Sequence, residues 1–250
     1  MSPWVFGRRS VQEHLEHAPD TARRLLVARG SRVPRAILEL AASAGIPVAE
    51  APRQVLDRRA GGPGHQGVAL EVGGWSYRPL EALVERALAP GAFPLLIALD
   101  CVQDPRNLGA VLRVADGVGA AGVLIPKDRS AGLGPGAART ASGALATVPV
   151  ARVVNLARAL DDLRERGFWV YGAAGGEGEN LYDAELPLPG VLVLGAEHKG
   201  IRPNVASRCD RLVSIPMAGA VASLNVAVAC GVVCYELLRR RRSTRGSLSP

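Results

Sequence analysis

The chain has 250 residues, 48% of them hydrophobic, with a formal net charge of +7 and a pI near 9.8. That supplies one large core or two modest ones. No run of 18 uncharged apolar residues occurs, so no transmembrane helix is expected, and the opening Met1 to Arg9 lacks the basic-then-apolar pattern of a secretory signal.

Residues 1 to about 72 read as a small α/β unit. A short helix begins over Val11 to Leu15, and strands are expected at Arg24 to Ala28, Ile46 to Val48 and Gly67 to Val72. Apolar spacing predicts a helix over Ala36 to Ala44, and Gly61-Gly62-Pro63-Gly64 a turn. A helical connector, Leu80 to Leu88, ends at Pro90-Gly91.

A larger α/β unit follows. Its strands are continuous apolar runs at Leu95 to Leu99, Gly122 to Ile125, Phe168 to Tyr171, Val191 to Leu194 and Leu212 to Ile215. Helical stretches alternate with them at Asn107 to Val118, Leu156 to Arg166 and Ser223 to Arg240. Such alternation indicates a mostly parallel sheet covered on both faces. The expected division is 1–75 and 92–242, with a linker at 76–91 and a basic, frayed tail at 243–250.

The positive charge is almost all arginine, Lys127 and Lys199 being the lysines. Arginine's planar fork suits phosphate and stacks on bases, so RNA is a candidate partner, against the plainer reading of a GC-rich codon bias. Cys101, Cys209, Cys230 and Cys234 lack zinc-type pairing, so reduced, buried thiols and no metal are expected.

Ligands sit at the carboxyl ends of strands in such sheets, and three strand ends carry unusual loops. After Leu99, Asp104-Pro105 opens a turn and a helix starts near Asn107. Arg113 lies six residues on, nearly two turns, which would place both on one side of the helix. After Leu194 comes Gly195-Ala196-Glu197-His198-Lys199-Gly200, in which glycines bracket a carboxylate and let a ligand touch the backbone. His198 has no partner ligand and is assigned to the surface. After Ile215 a loop of small residues leads to Ser223-Leu224-Asn225 and a helix apolar on all faces as far as Glu236. That helix must be buried all round, by its own sheet and a second subunit, and Asn225 becomes a buried amide in need of partners or a helix cap. No GxGxxG follows the opening strand and no Walker pattern occurs, which disfavours a dinucleotide oxidoreductase and a P-loop enzyme.

Taken together, the three loops resemble the SpoU/TrmH group of RNA 2′-O-methyltransferases. The shared patterns are Asp-Pro-x-Asn-x-Gly with arginine six after the asparagine (Asp104 to Arg113), Leu-Gly-x-Glu-x-x-Gly (Leu194 to Gly200), and Ile-Pro-Met-x-Gly-x-x-x-Ser-Leu-Asn-Val (Ile215 to Val226). The front resembles one branch of the group, through Gly7 to Val11, Gly64-His65-Gln66-Gly67-Val68 and Pro126 to Ala131. That branch acts on a guanosine of 23S rRNA in the peptidyl-transferase region. His198-Lys199 departs from its frequent Gly-Glu.

The resemblance implies a domain like ribosomal protein L30e followed by a SPOUT domain with a deep trefoil knot. It implies a cytoplasmic homodimer joined through the C-terminal domain, away from membranes. The donor is S-adenosylmethionine, held by backbone at Gly195, Ile215, Met217, Leu224 and Ala174. Arg113 matches the family's catalytic arginine, with Asn107, Glu197, Ser223 and Asn225 around it. An arginine stays protonated in proteins, so the reading preferred here gives Arg113 the phosphate beside the target ribose. The proton then leaves through Glu197 or water. In the N-terminal unit, His65 is a base-stacking or turn-capping residue, and Arg8, Arg9, Arg23 and Arg24 are candidates for phosphate contact. Other readings are a catalytically inactive ribosome-binding protein, a tRNA methyltransferase, or an rRNA methyltransferase conferring antibiotic resistance.

Overall fold

The computed structural model describes residues 4–176, 178–196, 199–221 and 223–246. The chain forms two compact units, one of residues 1–76 with 132–147, the other of 77–131 with 148–250.

In the first unit the order is β1 (Trp4–Phe6), α1 (Arg8–His17), β2 (Ala22–Ala28), α2 (Arg35–Ser43), β3 (Val48–Ala51), α3 (Arg53–Ala60) and β4 (Val68–Val72). The strands form one sheet in the order β1-β4-β2-β3. β2 and β3 are parallel, while β4 runs antiparallel to β1 and β2. Period-two alternation sorts β4 between two cores. Val68, Leu70 and Val72 join Val11, Leu25 and Ile37 on one face, and Ala69 joins Trp4, Leu26 and Leu56 on the other.

The second unit comprises α4 (Leu80–Leu88), β5 (Phe93–Leu99), α5 (Pro105–Val118), β6 (Ala120–Pro126), then β7 (Val150–Val153). Between β6 and β7 lie α6 (Pro135–Ala141) and α7 (Ala144–Thr147), which group with the first unit. The chain continues through α8 (Leu156–Glu165), β8 (Trp169–Ala173), β9 (Glu179–Asn180), β10 (Gly190–Leu194), α9 (Pro203–Ala206), β11 (Arg211–Ser214) and α10 (Val226–Gly246). The sheet order is β7-β6-β5-β10-β8-β11-β9, and every described pairing is parallel. Leu96, Leu124, Leu160, Val170 and Val193 share one core. This is why the strands read as unbroken apolar runs.

Several expectations need correcting. The stretch expected as a linker holds α4, whose Leu83, Val84 and Ala87 are buried in the second unit's core. The strand expected at Ile46 to Val48 begins instead at Val48, because the Ile46 N–H closes helix α2 on the Ala41 carbonyl at 2.8 Å. Residues 243–246, expected as a frayed tail, continue α10.

Helix α10 is buried along one side by its own unit, and its other side is the one expected to meet a second subunit. Cys230, Val233, Cys234 and Leu237 are buried, whereas Val228 and Tyr235 stay 52% and 53% exposed. These two, seven residues apart, mark an apolar stripe along the helix.

Candidate functional site

A cavity of about 350 Å³ opens at the carboxyl ends of β8, β10 and β11. Parallel strands turn all their carboxyl ends, and the loops that follow them, to one side of the sheet. Ala173 to Gly176 leave β8, Leu194 to Ala196 leave β10, and Ile215 and Met217 follow β11. Ser223, Leu224, Val226 and Ala229 close the wall from the start of α10. No charged side chain lines this wall among the described residues. The polar groups it can offer are main-chain N–H and C=O and the Ser223 hydroxyl.

The loop after β10 folds back on itself. Ala196 and Gly200 exchange backbone hydrogen bonds of 3.1 and 2.9 Å. A Cβ on Gly195 would collide with the Gly200 carbonyl and the Ile201 nitrogen. A glycine is therefore required at this close approach.

A second recess, of about 380 Å³, adjoins the first and shares Ala196, Gly200 and Val226 with it. Its character is opposite. Asn107, Arg129, Lys199 and Arg202, together with the Asp104 carboxylate, bring polar and charged groups to its wall. Behind it the Asp100 carboxylate is fully buried. Arg202 closes on it with Nε at 2.8 Å and Nη2 at 2.6 Å, and the Arg202 backbone N–H donates at 2.8 Å. This pair ties the end of β5 to the end of the 195–202 loop. Burial, followed by the neighbouring Asp100 charge, pushes the Cys101 thiol up from its ordinary value. At the start of α5, Asp104 caps the helix by accepting from the Arg106 N–H at 2.8 Å, and Pro105 takes the first helical position. Hydrogen bonds from Arg106 hold its carboxyl below the usual carboxylate range.

The structure brings most of the residues singled out in the sequence to these two cavities. Ala174, Gly195, Ile215, Met217 and Leu224 all line the first, together with Ser223. Asn107 lines the second. Asn225 joins them from the far end of the chain: its Nδ2 donates to Asn107 Oδ1 at 3.0 Å, while its Oδ1 accepts from the Ala227 N–H at 3.0 Å. Asn225 is thus both the cap of α10 and the partner of Asn107, and it is exposed rather than buried. Glu197 and His198 lie outside the described residues.

Arg113 is the exception. It is exposed on α5, lines neither cavity and makes no ion pair among the described residues. Six residues turn an α-helix through about 600°, which leaves Asn107 and Arg113 roughly 120° apart and about 9 Å along the axis. The expectation that both face one side fails on this arithmetic. Gly117, one turn beyond Arg113, faces the Tyr235 hydroxyl, at 3.0 Å from where a Cβ would stand. Arg113 therefore sits beside the exposed apolar stripe of α10.

Asp100 and Arg202 were not singled out in the sequence, and Arg129 and Lys199 entered only through the family resemblance, with no role given to either. Asp100 carried one usable signal, a carboxylate directly ending a fully apolar strand. Its partner lies 102 residues away, beyond any local pattern.

In the first unit, His65 is fully buried, with Nδ1 accepting from the Gly67 N–H at 3.0 Å and Nε2 3.0 Å from Asp57 Oδ1. It shapes the turn and offers no face for stacking. Arg9 pairs with Glu13 and Arg24 with Glu71, which neutralises two of the four arginines considered for phosphate contact.

Comparison with known proteins adds independent information. The profile of the SpoU rRNA Methylase family matches residues 94–235, and one described as RNA 2′-O ribose methyltransferase substrate binding matches residues 4–77. The chain is 46% identical over 248 residues to the 23S rRNA (guanosine-2′-O-)-methyltransferase RlmB of Pseudomonas aeruginosa, covering 96% of this chain and 98% of that protein. It is 44% identical over 245 residues to the RlmB of Haemophilus influenzae, covering 96% and 99%. Among solved structures, the SpoU methyltransferase AviRb from Streptomyces viridochromogenes in complex with AdoMet superposes with a TM-score of 0.79 at 25% identity, covering 96% of this chain and 90% of that one.

Proposed function

This chain belongs to the SpoU rRNA methylase family, and we propose that it transfers a methyl group from S-adenosylmethionine to a ribose 2′-hydroxyl of 23S rRNA, on a guanosine of the peptidyl-transferase region. The observation that carries this reading is the pairing of two adjoining cavities, one with no charged side chain among the described residues, the other polar and charged, with Arg129 and Lys199 on its wall.

The first cavity fits the donor. Its volume falls in the small-molecule range of roughly 300–1,000 Å³. Main-chain N–H and C=O groups along this wall can match the donor and acceptor edge of adenine. When bound, S-adenosylmethionine supplies a methyl group on a positively charged sulfur, already a good leaving group. The chain's task is then to place the acceptor oxygen in line.

The second cavity takes the acceptor. Asn107 and Asn225, locked amide to amide, orient the ribose. Arg129 and Lys199 hold the flanking phosphates by charge. The hydroxyl proton leaves through Glu197 or water. Arg113 grips the phosphate beside the target ribose, and since it lines neither cavity of its own chain, a second copy delivers it. The exposed stripe of Val228 and Tyr235 beside Arg113 supports a homodimer formed there. No helix among the described residues is long and apolar enough to cross a membrane, in keeping with a cytoplasmic enzyme.

The test combines calorimetry with S-adenosylmethionine and methyl transfer to a 23S rRNA transcript, with the product mapped for 2′-O-methylation. Binding of the donor and a single modified guanosine is the expected result. A protein that binds the donor but leaves 23S rRNA unmodified refutes the proposed substrate, and one that does not bind the donor refutes the reaction.

A further inference from the structure

The first unit carries a recess that the methyl-transfer chemistry does not use. It measures about 680 Å³ and is lined by Arg8, Gly30, Ser31, Arg32, Arg53 and Gln66. Topology gathers these residues. β1 and β2 both run antiparallel to β4, and β3 runs parallel to β2. The carboxyl ends of β1, β2 and β3 therefore meet the beginning of β4 at one end of the sheet. Arg8 follows β1, Gly30 to Arg32 follow β2, Arg53 follows β3, and Gln66 precedes β4.

The recess is built rather than incidental. The buried His65 shapes the turn, and Gln66 adopts a left-handed conformation at φ 52°. Gln66 Oε1 then accepts from the Arg8 N–H at 3.0 Å, satisfying an orphan donor at the start of α1. The Arg8 guanidinium is held by carbonyls, Nη2 on Arg32 at 2.7 Å and Nε on Gln66 at 3.3 Å. Gly67, at φ 84°, lets the turn close on Ser31, whose hydroxyl lies 2.6 Å from where a Cβ would stand.

Charge decides what the recess can take. Arg9, Arg24 and Arg35 in this unit are each neutralised by a glutamate. Arg32 and Arg53 have no carboxylate partner among the described residues, Arg8 bonds only to neutral groups, and no carboxylate lines the wall. Three guanidinium groups around one polar hollow, one of them pre-oriented by main chain, match a bent phosphodiester backbone.

We infer that this recess binds the sugar-phosphate backbone of the RNA substrate, away from the reacting ribose, and so sets substrate affinity without touching the methyl-transfer step. The inference rests on the function proposed above. Of the four arginines considered from the sequence it retains only Arg8, and it adds Arg32 and Arg53.

The full-length protein with the double substitution Arg32→Ala and Arg53→Ala tests it, with Arg35→Ala as a control that removes an equal kind of charge from the same unit. Anisotropy with a labelled 23S rRNA fragment is read across salt concentration, alongside KM and kcat for methylation. The double variant is expected to raise KM about tenfold with kcat unchanged, and to reduce the slope of log K against log salt by roughly 1 to 2, about one per lost phosphate contact. Arg35→Ala is expected to match wild type, and donor affinity to be the same in all three. If wild type methylates the RNA while the double variant keeps its KM and salt slope, the recess has no part in binding. If wild type transfers no methyl group yet the double variant still loses RNA affinity and salt slope, the recess stands and the proposed reaction falls.

Discussion

Gly195→Ala probes the main-chain construction of the proposed donor cavity directly. The added Cβ would lie inside contact distance of the Gly200 carbonyl and the Ile201 nitrogen, both backbone atoms that cannot rotate away. Restoring ordinary separation requires the loop to open by on the order of 1 Å, since the gap between a Cβ and backbone atoms must grow from about 2 Å to more than 3 Å. Opening sacrifices the reciprocal bonds between Ala196 and Gly200, now 3.1 and 2.9 Å. At about 0.5–1.5 kcal/mol net for each, the loss is about 1–3 kcal/mol. If that energy is drawn from binding, donor affinity falls about 5- to 150-fold, at 1.4 kcal/mol per tenfold. Calorimetry with S-adenosylmethionine measures it. Gly74→Ala is the control, because its Cβ would meet nothing within 4 Å. A Gly195→Ala protein that binds the donor within twofold of wild type would show that the loop yields without cost, and the argument from backbone contact would be wrong.

Four further outcomes are expected. Arg202→Ala leaves the fully buried Asp100 carboxylate without its charge partner, which costs about 3–5 kcal/mol in urea unfolding; a cost under about 1 kcal/mol would mean that Asp100 reaches water. Arg113→Lys keeps the charge but loses the fork, so kcat should fall at least tenfold with RNA affinity unchanged, and near-normal methylation would remove the assigned role. Mixing Arg113→Ala with Asn225→Ala protein, each inactive alone, should restore part of the activity if Arg113 serves its partner's cavity; a dead mixture argues for delivery within one chain. The Glu236 carboxyl, bonded first by Arg239 and then by Arg240, is pushed down to about 2. Its folded-state value lies below the unfolded one of about 4.3, so its contribution is present above that range and drains as pH falls toward 2. Glu236→Gln should therefore lose less stability than wild type over that interval, measured by urea unfolding at stepped pH, and an identical acid slope would count against the assignment.

Legibility varied with the range of the interaction. Helix α4 was readable to the residue, and β10 to within one, because each packs one continuous apolar pattern against a single core. Strand β7 was missed: it has four residues, follows a proline, and carries Arg152 in its middle. Helix α3 was missed because only Leu56 and Ala60 are buried along it, too few to set a period. Helix α6 hides behind the three glycines and one proline of 132–136. The loops that wall the first cavity could be named from motif order, since each directly follows a strand. Contacts between distant segments could not. Asn107 meets Asn225 across 118 residues and Asp100 meets Arg202 across 102, and neither pair leaves a local trace. The facing of Arg113 was misread for a simpler reason, since six residues do not complete two turns.

A pocket addressed by the path of the polypeptide, not by its side chains, has a particular evolutionary stiffness. Exchanging one small wall residue for another leaves the pattern of amide donors and acceptors where it was, while a bulkier replacement closes the space to the natural donor as well. An inhibitor built to read those amides would therefore face few routes to resistance: the mutations that exclude it are largely the ones that disable the enzyme.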